Sequence, residues 1–249
     1  MSRPRLAVVG DRADEQTADA VGAASLDRLS PAAAAEASGH DAVLTLGERA
    51  FTRTAREAPS LPLLPVVDAT GPPTRGVGGD VHRLDGLARD APTAVAALAD
   101  DAVRAVDRTL LRVSVDDEPA GTAVLDAGLM TTEPARISEY TVRDDGRPVE
   151  TVRSDGIVVS TPLGSGGYGR AAGGPVLAPE TGLAVTPVAP FATAASPLVL
   201  AGPVALRVER DEGDVSLLVD DERVREVPAG ATVECVPDAT VRVLHPTRA

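Results

Sequence analysis

The residues best suited to chemistry in this 249-residue chain lie together, in the run Asp155 to Pro175, DGIVVSTPLGSGGYGRAAGGP. Ile157 to Ser160 read as a strand that leads into a turn crowded with glycine, at Gly164, Gly166, Gly167 and Gly169. Small residues let a ligand approach the backbone closely, and free N–H groups in such a turn hold anionic or polar groups. Asp155, at the entry to the strand, can accept hydrogen bonds from a hydroxyl. A glycine-rich turn by itself more often only reverses the chain. The other reactive side chains are dispersed. His40, His82 and His245 lack partners at metal or triad spacing, and no metal site is expected. Cys235 sits in a predicted strand and reads as a buried apolar residue. Gly164-Ser165-Gly166 lacks the G-x-S-x-G elbow, which argues against a serine hydrolase. Gly78-Gly79-Asp80 follows a Pro/Gly loop and reads as a solvent turn.

The elements that must carry these residues change character along the chain. Over the first hundred residues, apolar runs alternate with helical stretches. Strands are expected at Leu6–Val9, Ala42–Leu46 and Leu64–Val67, and helices at Ala13–Ala24, Pro31–Ala37, Phe51–Glu57 and Pro92–Val106. That alternation implies a parallel α/β layer. From about Arg108 the chain breaks into short β-rich runs. They are Leu110–Val115, Thr122–Asp126, Ile137–Val142, Val149–Arg153, Ile157–Ser160, Val204–Glu209, Val215–Val219, Val233–Val236 and Val241–Leu244. Turns such as Asp145-Gly146 and Glu212-Gly213 separate some of them, and Asp220, Asp221 and Glu222 read as a hairpin turn. The expected architecture is an α/β N-terminal domain, residues 1–107, followed by an all-β, sandwich-like domain, residues 108–249.

Composition limits the function classes. The formal net charge is −13, from 37 acidic and 24 basic residues; every basic residue is Arg, and the chain has no Asn. Two causes account for this: a GC-rich genome, or a high-salt cytoplasm in which salt screens an acidic surface. The acidic excess favours the second. It also argues against nonspecific nucleic-acid binding, which needs a basic footprint. No apolar run is long enough to span a bilayer, and Leu6–Val9 is too short for the core of a signal peptide. The expectation is a cytoplasmic protein without membrane contact.

The Asp155–Pro175 run resembles a signature of the NAD kinase family, D-G-x4-T-P-T-G-S-T-A-Y followed by S-A-G-G-P. It matches at Asp155, Gly156, Thr161, Pro162, Gly164, Ser165, Tyr168 and Ala172 to Pro175. Three further landmarks follow in family order: Leu183 to Phe191 (LAVTPVAPF), Ser196-Pro197-Leu198-Val199, and Val215 to Asp220 followed by Asp221. The resemblance implies the NAD kinase fold, a homo-oligomer, and nucleotide binding by Asp126, Asp155, Gly156, Thr161, Gly164, Ser165 and Tyr168.

The departures from the family bear on catalysis. Where the family reads G-G-D-G-T, Ala42–Leu46 runs into Gly47-Glu48-Arg49-Ala50, so that Arg49 stands in place of the Asp. A cation neither takes a proton from a ribose hydroxyl nor coordinates magnesium. Where the family has an Asn-acid pair, this chain has Asp126-Ala127, and Gly166-Gly167 replaces Thr-Ala. Three functions follow from the resemblance. One is an impaired relative that binds NAD or NADP, or pairs with an active NAD kinase to regulate it. The second is an active kinase that uses ATP and Mg2+ to phosphorylate the adenosine ribose 2′-hydroxyl of NAD. The third is a divergent kinase for another substrate such as a lipid.

Overall fold

The computed structural model describes residues 4–10, 25–35, 38–57, 60–66, 90–133, 136–191, 195–211 and 213–247. It forms two compact units, Met1–Arg108 with Thr240–Ala249, and Thr109–Ala239. The sequence division at 107/108 leaves 240–249 in the second domain; the last strand instead carries those residues back to the first unit. The expected helix Ala13–Ala24, Val67, the Gly78-Gly79-Asp80 turn with the Pro/Gly loop before it, and His82 lie outside the described residues.

The first unit is a parallel α/β layer, as its alternation of patterns implies. β1 (Arg5–Gly10), β3 (Ala42–Leu46) and β4 (Leu63–Val66) are almost continuously apolar and buried, the pattern of strands covered on both faces. β2 (Ser25–Arg28) pairs parallel with β1 at one edge, and Val243 of the last strand pairs parallel with Leu63 at the other. α1 (Pro31–Ala35) starts beneath Ser30, whose hydroxyl accepts from the Ala33 N–H. α2 (Glu48–Arg56) packs on β1, β3 and β4 and buries Phe51, Thr52, Thr54 and Ala55. α3 (Ala91–Ala99) is capped by Asp90, which accepts from the Thr93 N–H at 2.7 Å. Its residues Ala91, Ala94 and Val95 join Leu6, Val8, Leu44, Leu64 and Leu244 in one core. The expected helix to Val106 ends seven residues early. Asp101 takes a left-handed φ of 55°, and the β-branched Val103 opens a strand.

The second unit is a sandwich of antiparallel sheets. One sheet runs β12 (Leu198–Leu200), β11 (Leu183–Val188), β10 (Gly156–Ser160), β7 (Asp126–Thr131), β14 (Val215–Val219), β15 (Glu222–Glu226). Opposite it, β8 (Ser138–Asp144) pairs with β9 (Arg147–Ser154) and with β13 (Val204–Arg210), and β13 pairs with Thr232–Cys235 of β16 (Thr232–Pro246). β5 (Val103–Val115) pairs with β6 (Glu118–Ala123). Alternate residues of both sheets meet in one core: Leu129, Ile157, Val159, Leu183 and Val185 from one, Tyr140, Leu206, Val208 and Val233 from the other. The two runs expected at 233–236 and 241–244 are a single strand, and Glu222, expected in a turn, opens β15. Among the described residues, no helix is long and apolar enough to cross a membrane.

Candidate functional site

β10 lies in the middle of its sheet, between β7 and β11, and every one of its residues is buried. Ile157 and Val159 enter the core, so Gly156, Val158 and Ser160 must face outward. Their cross-strand partners on β7 are Met130, Gly128 and Asp126. The outer face is therefore a low floor of two glycines and a valine, with the Asp126 carboxylate at one end and Met130 at the other. Gly156 has no substitute there, because a Cβ would overlap the Met130 thioether and the Leu129 carbonyl.

The glycine-rich segment folds over this floor. A 3-10 turn, Gly164–Gly166, leads into the short α4 (Tyr168–Ala171). Gly169 sits on the Ser160 hydroxyl and Gly174 on that of Thr186. Both hydroxyls are fully buried and lack a hydrogen-bond partner among the protein atoms. Tyr168 is half exposed, and its hydroxyl reaches the Met130 sulfur at 3.9 Å. Tyr168 thus returns toward the Asp155–Gly156 end of the strip, although it is twelve residues on from Gly156.

The bend at Val124-Leu125 holds the segments together. Thr161 donates its hydroxyl to the Val124 and Leu125 carbonyls at 2.9 and 3.0 Å, and its own N–H to Leu125 at 2.8 Å. Gly164 rests so closely on the Leu125 carbonyl that no Cβ fits. From the other side, the Asp220 carboxylate accepts the Val124, Leu125 and Asp126 N–H groups on Oδ1, at 3.1, 2.7 and 3.2 Å. The Asp220 N–H returns a bond to the Asp126 carbonyl at 2.8 Å. This network explains why the expected strand Thr122–Asp126 is broken at 124–125: Asp220 draws those N–H groups out of any ladder. Asp220, read from sequence as a turn residue, is the tie of the site. The landmark at Val215–Asp220 was the available signal.

The predicted site residues divide into two groups. Thr161 and Ser165 are buried, and their hydroxyls are engaged inside the turn, Ser165 donating to the Pro162 carbonyl and accepting the Leu177 N–H. Together with Gly164 they shape the turn. Asp126 is half-buried and Tyr168 half-exposed. Asp155 stands at the opposite end of β10 from Thr161, so that the two are separated by roughly 20 Å of extended strand. Asp155 borders a polar cluster in which Thr131 bonds Ser138 and Tyr140 at 3.0 and 3.3 Å. Burial, with the Asp155 charge as a lesser cause, pushes the Tyr140 hydroxyl above its usual pKa.

In the first unit, β3 enters Gly47 at φ 89°, and the Gly47 N–H bonds the Val66 carbonyl at 2.8 Å. α2 then starts at once with Glu48, so no glycine loop intervenes. Glu48 and Arg49 are exposed and Ala50 half-buried on the first turn of that helix. This junction does not fit magnesium. It offers one carboxylate beside a guanidinium, whereas Mg2+ requires several oxygen ligands in near-octahedral array. His245 is buried against Arg108, whose NH2 donates to its Nε2 at 3.0 Å. Burial first, then the charges of Arg108 and Arg104, hold His245 down at a pKa of about 3.

Residues 124–236 match the model of the ATP-NAD kinase C-terminal domain. Over these residues the chain is a C-terminal domain of the NAD kinase type. An NAD kinase of Rhodococcus erythropolis is 41% identical over 133 residues, which are 51% of this chain and 42% of that protein. One from Thermococcus sibiricus is 31% identical over 129 residues, 51% of this chain and 47% of that protein. The chain thus spans somewhat under half the length of these relatives. Two solved structures share the fold across nearly all of it. Yeast NADH kinase complexed with NADH has a TM-score of 0.72 at 13% identity, covering 98% of this chain and 84% of that one. The NAD kinase of Archaeoglobus fulgidus in complex with ATP has 0.67 at 22%, covering 96% and 92%.

Proposed function

We propose that this NAD kinase relative binds NAD or NADP over the outer floor of β7 and β10, and that it is impaired as a kinase. The observation that carries the proposal is the contrast between two regions. The turn around Thr161 is held by the hydrogen bonds of Thr161 and Ser165 and by the Asp220 tie, while the β3–α2 junction carries Arg49 and an immediate helix start in place of a phosphate loop. A bound dinucleotide supplies a flat base, ribose hydroxyls and phosphates. The exposed Tyr168 ring offers a stacking face, and Asp126 an acceptor for a ribose hydroxyl. Phosphoryl transfer depends on metal placement and charge stabilisation, which Glu48 beside Arg49 does not provide. A homo-oligomer, and association with an active NAD kinase, belong to the same proposal.

The test is a kinase assay with ATP, Mg2+ and NAD at low and molar KCl, run beside calorimetry with NAD and NADP. We expect no NADP formation. Binding should be near millimolar, because the family's Thr, Ala, Ser and Asn contacts are missing and each lost hydrogen bond weakens binding by about 0.5–1.5 kcal/mol. Asp126→Ala and Tyr168→Ala should each weaken it further. Turnover near the usual lower range of about one per second would refute the impairment. Failure of both nucleotides to bind at millimolar concentration would refute the ligand.

A further inference from the structure

A hollow of about 400 Å³ opens on the outer face of the other sheet, away from the glycine-rich turn. Its floor follows from the strand register. On β13, Val204, Leu206 and Val208 enter the core, so Ala205 and Arg207 face outward. Ala205 is paired with Arg143 of β8 on one side and with Glu234 of β16 on the other. A methyl group therefore stands in a row between a guanidinium and a carboxylate, and the missing bulk at Ala205 is the depth of the hollow. Arg207 and its cross-strand partner Thr232 bound one end, and Pro203 and Val236 add apolar lining.

We propose that this hollow is a binding site for a small zwitterion of the α-amino acid class. Three features favour that class. The walls are of opposite sign, Arg143 facing Glu234 across Ala205. Neighbouring strands lie about 4.8 Å apart, so the two walls rise from backbones roughly 10 Å apart, which leaves room between them for a small molecule with its two charges close together. The charges also balance. Arg207 is paired with Glu209 at 3.4 Å, which leaves Arg143 against Glu234 and a hollow of no net charge. A chain of net charge −13 repels a simple anion, whereas a zwitterion is not repelled and finds a complement for each of its ends. The Arg143 guanidinium is held in place from behind, NH1 donating to the Gly146 carbonyl at 3.2 Å, so less freedom is lost when a carboxylate arrives.

The full chain is titrated with common α-amino acids one at a time, by ligand-observed NMR and calorimetry. Acetate, methylammonium and inorganic phosphate serve as single-charge controls. We expect at least one amino acid to bind with a Kd of about 1 mM or tighter, and the controls to bind at least about tenfold more weakly. Arg143→Gln, Glu234→Gln and the cavity-filling Ala205→Leu should each weaken binding by about tenfold or more without lowering the melting temperature, because all three sites are on the surface of the sheet. Saturating NAD should leave the amino acid bound, a result that does not depend on whether NAD itself binds. The proposal is overturned if no amino acid binds at about 10 mM, well above the expected Kd. It is also overturned if acetate or phosphate binds as tightly, if the three variants bind normally, or if NAD displaces the amino acid.

Discussion

Replacing Asp220 by Ala should cost about 3 kcal/mol of stability, most of it from the bend at 124–126. One carboxylate oxygen accepts three consecutive backbone N–H groups, and the Asp220 backbone has a left-handed φ of 53°. Hydrogen bonds to a charged acceptor contribute about 1.5–3 kcal/mol each when isolated. Here three donors share one half-buried acceptor and water can replace part of the set, so about 2 kcal/mol is the expected net loss. Ala in the left-handed region adds about 1 kcal/mol. Two companion variants separate the contributions. Asp220→Gly removes the backbone strain and should cost about 2 kcal/mol. Asp220→Asn keeps one acceptor oxygen and tolerates the same φ, and should cost about 1 kcal/mol. Denaturant unfolding orders the series, and amide exchange should show faster opening at Val124 and Leu125 in the Ala variant. Since the bend also positions Asp126, NAD affinity should fall in the same order. If Asp220→Ala costs under about 0.5 kcal/mol, or Asn is as damaging as Ala, the carboxylate does not hold the bend.

Gly164→Ala should destabilise the second unit by about 1–3 kcal/mol in denaturant unfolding, because a methyl group there overlaps the Leu125 carbonyl; a neutral result would show that the turn can move away. His245 gives a pH signature. Its folded pKa of about 3 lies below the ordinary value of 6.5, so the stability it contributes is full above pH 6.5 and is lost as pH falls toward 3, by about 2 kcal/mol at pH 5. His245→Gln preserves an acceptor for Arg108 and should flatten that slope, and an unchanged slope would show that His245 is not its source. The melting temperature should rise by several degrees between 0.1 and 1 M KCl, as the screening length drops from about 10 to about 3 Å; a flat profile would favour codon bias as the cause of the composition.

What was legible in the sequence was what periodicity encodes. β3 falls on Ala42–Leu46 as read, because a fully buried parallel strand is an unbroken apolar run with glycine at its end. The sandwich strands were found to within a few residues wherever inward and outward positions alternate, as at Val204–Glu209. Two kinds of feature were missed. Val103 is compatible with both a helical stripe continued from Val95 and the start of β5, and only the Asp100-Asp101 turn decides between them. The break at 124–125 depends on Asp220, some 95 residues away, and local pattern holds no trace of such a contact.

The same distance separates what the glycine-rich signature shows from what it does. Read as a motif, Thr161 and Ser165 look like ligand contacts, because hydroxyls in a glycine turn so often are. In the fold they are buried, and they bond the bend at 124–125 and the Pro162 carbonyl. Their constancy within a signature is therefore explained by the shape of the turn, and the same shape would be kept by a relative that no longer catalyses. Activity depends instead on groups that the turn does not need. At the β3–α2 junction, Arg49 is exposed on the first turn of α2, where a change of charge disturbs no core residue. Catalytic residues at such a position can be lost at little cost in stability, while the turn and its Asp220 tie are held by folding itself. On the proposed function, the turn persists because folding keeps it, while the first turn of α2 is free to change.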